Sequence, residues 1–197
     1  MFSLTPAIQA LILTNVIVYV AQSVMEGLTG ALALWPIGSG AFGLWQVVTY
    51  AFLHGGVSHL AFNMFGLWMF GTDLERVWGP KRLLVLYFVS VLGAAAAQLV
   101  VAAMRGSVYP TVGASGGLFG ILVAFAMVFP TRKIVPLIPP IPMPAPVFVA
   151  LYGALELLFG VTDSFAGVAH FAHLGGLAAG WLLVRYWSGK PPFGRWG

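Results

Sequence analysis

The sequence predicts an all-α, polytopic membrane protein built as a bundle of six transmembrane helices. Three observations point there. Of its 197 residues 60% are apolar and only 7% charged, against roughly 25% charged in a soluble domain. The mean hydropathy is +0.95, so too few polar side chains exist to cover a water-facing surface. The apolar residues also run in stretches long enough for helices, which satisfy their own backbone groups inside lipid.

The first stretch, about 6–25, follows a start without a basic n-region or small-residue cleavage site, so it reads as a retained span rather than a signal peptide. Residues 26–56 are glycine-punctuated and rich in aromatics ("LALWPIG", "FGLWQVVTYAF"), as in a loop lying in the membrane interface. The next spans cover about 57–72, 83–104 and 115–130. The linker "TRKIVPLIPPIPMPAP" then carries six prolines and allows no helix through it. The last two spans cover about 146–162 and 166–187. One membrane domain, residues 1–197, accounts for the whole chain, with no internal repeat and no second domain. Six spans put both termini on one side. Arg76, Lys81, Arg82, Arg132, Lys133, Arg185, Lys190 and Arg195 fall on that side and only Arg105 on the other, so the termini are expected in the cytoplasm. The net charge of +4 therefore reflects membrane orientation and gives no reason to expect a nucleic-acid partner.

Ionisable and strongly polar side chains within spans are costly, which makes them functional candidates. His59 and Asn63 share one face of the second span, Ser115 opens the fourth, and His173 lies about two turns into the sixth. His59 and Ser115 each precede an arginine, Arg76 and Arg132, by 17 residues, or ~25 Å of helix; His173 precedes Arg185 by 12, or ~18 Å. All four side chains thus belong to the outer half of a ~30 Å core. Gly116-x-x-x-Gly120 and Gly176-x-x-x-Gly180 let the fourth and sixth helices approach closely, which would bring Ser115 near His173.

Gly113-Ala114-Ser115-Gly116-Gly117 also fits the G-x-S-x-G elbow of soluble hydrolases, but that fold needs strands in water. Metal-dependent proteolysis would need H-E-x-x-H, and no histidine here precedes a glutamate. An aspartyl dyad needs adjacent carboxylates, whereas Asp73 and Asp163 fall in loops on opposite faces. What remains is serine–histidine chemistry, with neutral imidazole taking the hydroxyl proton. No acid is well placed for a third member, Asp163 lying ten residues before His173, so a dyad is expected. His59, Asn63 and the Ser115 backbone N–H could donate to an oxyanion. Glu156 reads as a structural hydrogen bond to a neighbouring helix, His170 as a neutral histidine beside the site or against a loop, and His54 as a solvated loop residue.

"HGGVSHLAFNMFGLWMFG", "GASGGLFG" and "AHLGGLAAG", in that order and with "LERVWGPKRLL" after the first, resemble the rhomboid intramembrane serine proteases of the six-span bacterial type over nearly the whole chain. The resemblance implies Ser115 as nucleophile, His173 as general base, and His59, Asn63 and the Ser115 N–H as the oxyanion site. Phe119 falls where some members have a tyrosine stacked on the catalytic histidine, so it is expected to contact substrate without offering a hydroxyl. Gln46 replaces an arginine found in some members, removing any anchoring of the first loop by that arginine. The implied partners are the bilayer and single-span membrane substrates, with no metal and no cofactor and with the site open to the outer face; the lack of soluble extensions and targeting sequences leads to the expectation of a prokaryotic inner membrane. The fifth span and residues 161–168 are expected to form the gate. The rival is a catalytically silent relative that binds membrane clients; such proteins typically lack the serine or the histidine, and this chain has both.

Overall fold

A computed structural model describes residues 4–137, 139–164 and 169–189. Helix α1 (Pro6–Val24) begins with proline in its first turn, where a missing N–H costs nothing. The segment after it is a chain of short helices, α2 (Leu28–Leu32), a 3-10 turn (Ile37–Ser39), α3 (Gln46–Thr49) and a second 3-10 turn (Tyr50–Phe52). Then come α4 (Val57–Gly66), a π-helical turn (Leu67–Gly71) and α5 (Thr72–Arg105). Helix α6 (Ser115–Val128) leads into a small hairpin, followed by α7 (Ala145–Thr162) and α8 (His170–Trp187).

Three described helical stretches are long and apolar enough to cross a bilayer: Pro6–Val24, Val57–Arg105 and Ala145–Thr162. The middle one has 49 residues, or ~73 Å if straight, more than twice a bilayer core. It is two spans. Gly79 breaks it, with φ 78° and ψ 166°, and Pro80 follows. Beyond the break the chain runs back: the Tyr50 hydroxyl donates to the Val91 carbonyl at 2.8 Å, at the end of the bundle where α4 begins. The second span therefore continues past residue 72 to the Gly79 break.

Helix α6 is the centre. Gly116, Gly117 and every residue from Phe119 to Ala126 are buried. Its 14 residues cover only ~21 Å, which suffices because its neighbours shield it from lipid. The glycine spacing does what small-residue faces do in membranes, bringing backbones together where apolar surface alone gives no drive to associate. A Cβ on Gly176 would lie 2.0 Å from the Gly116 carbonyl oxygen, and one on Gly180 would lie 2.7 Å from Gly120 Cα. The two pairs share one offset, so α6 and α8 run parallel. Ser90 packs at the level of Gly120 and Gly180, and Ala94 at Gly116, so the second half of α5 runs antiparallel to both.

Helices α1 and α7 lie outside this trio. Helix α7 buries only Ala145, Phe148, Val149 and Gly160, while Val147, Leu151, Leu157, Leu158 and Val161 are exposed, as a lipid-facing surface requires. The proline-rich linker forms a two-residue antiparallel pair, Lys133–Ile134 against Met143–Pro144.

The interfacial segment is better anchored than its sequence suggests. Gln46 is buried, and its carbonyl oxygen accepts from Trp35 N–H while its amide donates to the Ala31 and Ala41 carbonyls. An uncharged amide thus ties the loop where an arginine is absent. His54 is not solvated but 3% exposed. Gln22 of α1 holds its backbone from both sides, accepting from the N–H at 2.9 Å and donating to the carbonyl at 3.3 Å, and its ring meets His59 edge-on at 5.0 Å.

Candidate active site

Ser115 is the first residue of α6, where backbone N–H groups have no partner one turn back. Gly113, two residues earlier, has φ 134° and carries no side chain against the His59 ring, which a Cβ there would approach to 2.8 Å. A glycine is needed at that position for both reasons.

The parallel seam of α6 and α8 brings Ser115 and His173, 58 residues apart, to 2.7 Å between Oγ and Nε2. Phe119, one turn along α6, lies flat against the His173 ring with centroids 4.5 Å apart and planes 7° from parallel. Stacking on that face limits the ring to rotation in its own plane, so Nε2 stays directed at the hydroxyl.

Facing this pair across the opening is α4. Asn63 Nδ2 donates to the His59 carbonyl at 3.0 Å, leaving its second amide hydrogen for another acceptor. His59 Nδ1 accepts from the Gly55 N–H at 3.3 Å, so in the neutral ring the proton sits on Nε2, the nitrogen nearest Gly113. A cavity of about 620 Å³ joins these groups, bounded by Tyr50, His59, Asn63, Ser115, Phe119 and His173. A donor pair on one wall and a hydroxyl–imidazole pair on the other can hold a carbonyl between them, its oxygen toward α4 and its carbon toward Ser115.

Behind His173 lies Glu156 of α7. Its Oε2 is 2.6 Å from His170 Nδ1 and 3.0 Å from His173 Nδ1, and the His170 Nε2 is 3.0 Å from the Ser164 carbonyl. The sequence places a hydrogen bond from Glu156 to a neighbouring helix and His170 against a loop, and both contacts are present. It does not place Glu156 beside His173: only the rotation of α7 against α8 decides which side chain an acid 17 residues away will reach. These three residues are also the described cluster best composed to ligate a metal, their ligand atoms all within 4.8 Å of one another. A separation of 2.6 Å, however, is that of a shared proton; two ligands ~2.0 Å from a tetrahedral zinc stand farther apart.

Arg105, at the end of α5, ties that helix to the end of α7 and the start of α8. It donates to the Gly160 carbonyl at 2.8 Å, pairs with Asp163 and lies over the Phe171 ring at 5.1 Å. Positions 165–168, within the expected gate, lie outside the described residues, as do Lys190 and Arg195.

The rhomboid domain family model matches residues 41–190. Among similar curated proteins, the rhomboid protease GluP of Bacillus subtilis is 32% identical over 161 residues, 78% of this chain and 28% of that protein. RHOMBOID-like protein 4 of Arabidopsis thaliana is 32% identical over 156 residues, 76% of this chain and 36% of its own. The rhomboid protease GlpG of Yersinia pestis is 28% identical over 186 residues, 90% of this chain and 62% of its own. The chain therefore spans between 28% and 62% of the length of these relatives. A family match over most of the sequence, on a helical bundle that carries the quoted motifs, leads to one conclusion: this chain belongs to the rhomboid family.

Proposed function

We propose that the chain is an intramembrane serine endopeptidase that cleaves peptide bonds in or near transmembrane segments, using Ser115 and His173. The observation that carries this reading is the 2.7 Å contact between Ser115 Oγ and His173 Nε2 at the wall of a cavity. Serine hydroxyls are weak nucleophiles until a base takes their proton. For Nε2 to accept, Nδ1 must carry the ring hydrogen. As Oγ bonds to the scissile carbonyl carbon, its proton passes to Nε2 and the carbonyl π electrons move onto oxygen. His59 Nε2–H, the second Asn63 amide hydrogen and the Ser115 N–H are the donors for that oxyanion. Collapse of the intermediate expels the amine, which takes the proton from Nε2 and leaves an ester on Ser115. A water molecule, deprotonated by the same nitrogen, then releases the acid and restores the hydroxyl.

Phe119 contributes the stack on His173 and an apolar wall for substrate. Neither a metal nor a cofactor enters the scheme. The partners are membrane-spanning proteins delivered laterally through lipid, and the site opens at the end of the bundle remote from Arg76, Arg132 and Lys133. With those basic residues at the cytoplasmic face, as the positive-inside rule directs, the site faces outward.

The test is incubation of purified protein with a labelled single-span substrate, beside Ser115→Ala and His173→Ala. The parent should cleave, and each variant should lose at least about 1,000-fold in rate. Equal cleavage by parent and Ser115→Ala would refute the assignment. An inactive but folded parent, tried on several substrates, would favour client binding.

A further inference from the structure

We infer that Glu156 is a positioning residue for the Ser115–His173 pair, presented to the histidine by α7. The inference deepens the protease reading and rests on it.

His170 shows how the carboxylate is held. Its Nε2 lies 3.0 Å from the Ser164 carbonyl, which can only accept, so Nε2 carries a proton. Its Nδ1 is 2.6 Å from Glu156 Oε2. The carboxylate accepts that short hydrogen bond from the His170 ring. That makes it tolerable at this depth, where an unpaired carboxylate would be costly. Held this way, the carboxylate has one oxygen fixed between two imidazoles.

The second imidazole is the proposed base. His173 Nδ1 lies 3.0 Å from the same Oε2, yet the approach is bent away from the ring N–H direction and makes no hydrogen bond in the resting site. The contact is electrostatic, and it strengthens at one moment of the reaction. When Nε2 takes the serine proton, the ring becomes a cation with a carboxylate oxygen beside it. The groups around that cation are Ser115 and Phe119 from α6, His59 from α4, His170 from α8 and Glu156 from α7; of these the carboxylate supplies the negative charge. A group that meets charge only as charge develops lowers the barrier rather than tightening substrate binding.

The helix that supplies the acid matters. Ser115 and His173 sit on α6 and α8, which are locked backbone to backbone, whereas Glu156 rides on α7, the least buried of the three. The carboxylate reaches His173 only while α7 is docked. Movement of α7 that admits a substrate would withdraw the acid, and its return would complete the site.

Glu156→Gln is nearly isosteric and can keep a hydrogen bond to His170 while removing the charge. Against a single-span substrate in liposomes it should lower kcat about ten-fold or more with KM unchanged, keep the parent melting temperature, and slow labelling of Ser115 by a fluorophosphonate by a similar factor. Glu156→Asp, which keeps the charge, should retain more kcat than Glu156→Gln. Parent kcat in Glu156→Gln, or a loss matched by a fall in melting temperature and reversed in order by Glu156→Asp, would overturn the inference and leave a structural tie. Ser115→Ala in the same assay separates the two proposals: if it cleaves, the protease reading itself falls, and if it is inert while Glu156→Gln is unimpaired, only the role of Glu156 falls.

Discussion

His54 illustrates how much a single side chain's meaning depends on what folds over it. Between two apolar runs and before two glycines, it has the sequence context of a loop tip. Instead, Tyr50, Ala51 and Leu53 beside it are buried, and Gln22 reaches across from α1 to take both of its backbone groups. Burial, reinforced by the nearby His59 ring, pulls its pKa from an ordinary 6.5 down to about 4. In the unfolded chain the ring titrates near 6.5, so its contribution to stability is fully present above that value and is lost as pH falls through about 4. The expected outcome is a steeper fall in melting temperature between pH 6.5 and 4 for the parent than for His54→Gln, measured in the same detergent. Parallel curves would show that the ring is not a source of acid sensitivity. Ser115, His173, His59 and Asn63 stood out together in the sequence because each is polar within the outer half of a span, and the glycines of α6 and α8 pointed to the approach of Ser115 and His173. Gln22, Gln46 and the His173 contact of Glu156 were not, since each depends on how one helix is rotated against another, which no local pattern encodes.

At the scale of elements, α1 shows a device that its own sequence lacks. Its N-terminus has no acidic residue in the first turn and no capping side chain of its own. Glu75 of α5 supplies both: its carboxylate accepts from Ala7 N–H at 2.8 Å, Ile8 N–H at 3.0 Å and the Thr5 hydroxyl. One acid thereby satisfies orphan donors, meets the positive end of the helix dipole and pins a peripheral helix to the bundle. Glu75→Ala should cost about 2–3 kcal/mol, read as a lower midpoint in detergent unfolding, with cleavage retained at low temperature. Glu75→Gln, which keeps one acceptor, should lose less. An unchanged midpoint in Glu75→Ala would mean that water caps the helix equally well. Apolar length marked the spans, but it ended the second near residue 72 and passed over the Gly79-Pro80 break, because Asp73, Glu75 and Arg76 interrupt the apolar run before it. The hairpin was hidden because prolines announce only that a helix stops.

For the molecule as a whole, a rigid trio of α5, α6 and α8 carries the serine and histidine, while α1 and α7 sit at its edges. Basic Arg76, Arg132 and Lys133 cluster at one end and the cavity opens at the other, an asymmetry already visible in how the basic residues are distributed along the sequence. If α7 is the gate, cross-linking it to α4 through engineered cysteines near the cavity should cut the cleavage rate of membrane substrates at least ten-fold, with recovery on reduction. Unimpaired cleavage in the oxidised state would require another route of entry. The chain has no cysteine of its own to confuse that measurement.

The glycine seam has one more consequence. Lipid bilayers differ in thickness by several ångströms, and spanning helices usually adapt by tilting. Helices in direct backbone contact cannot tilt independently, because Gly176 and Gly180 leave no room to slide past Gly116 and Gly120. The peripheral helices must absorb the mismatch, so changing acyl-chain length should alter how substrates get in while the separation of Ser115 and His173 stays constant.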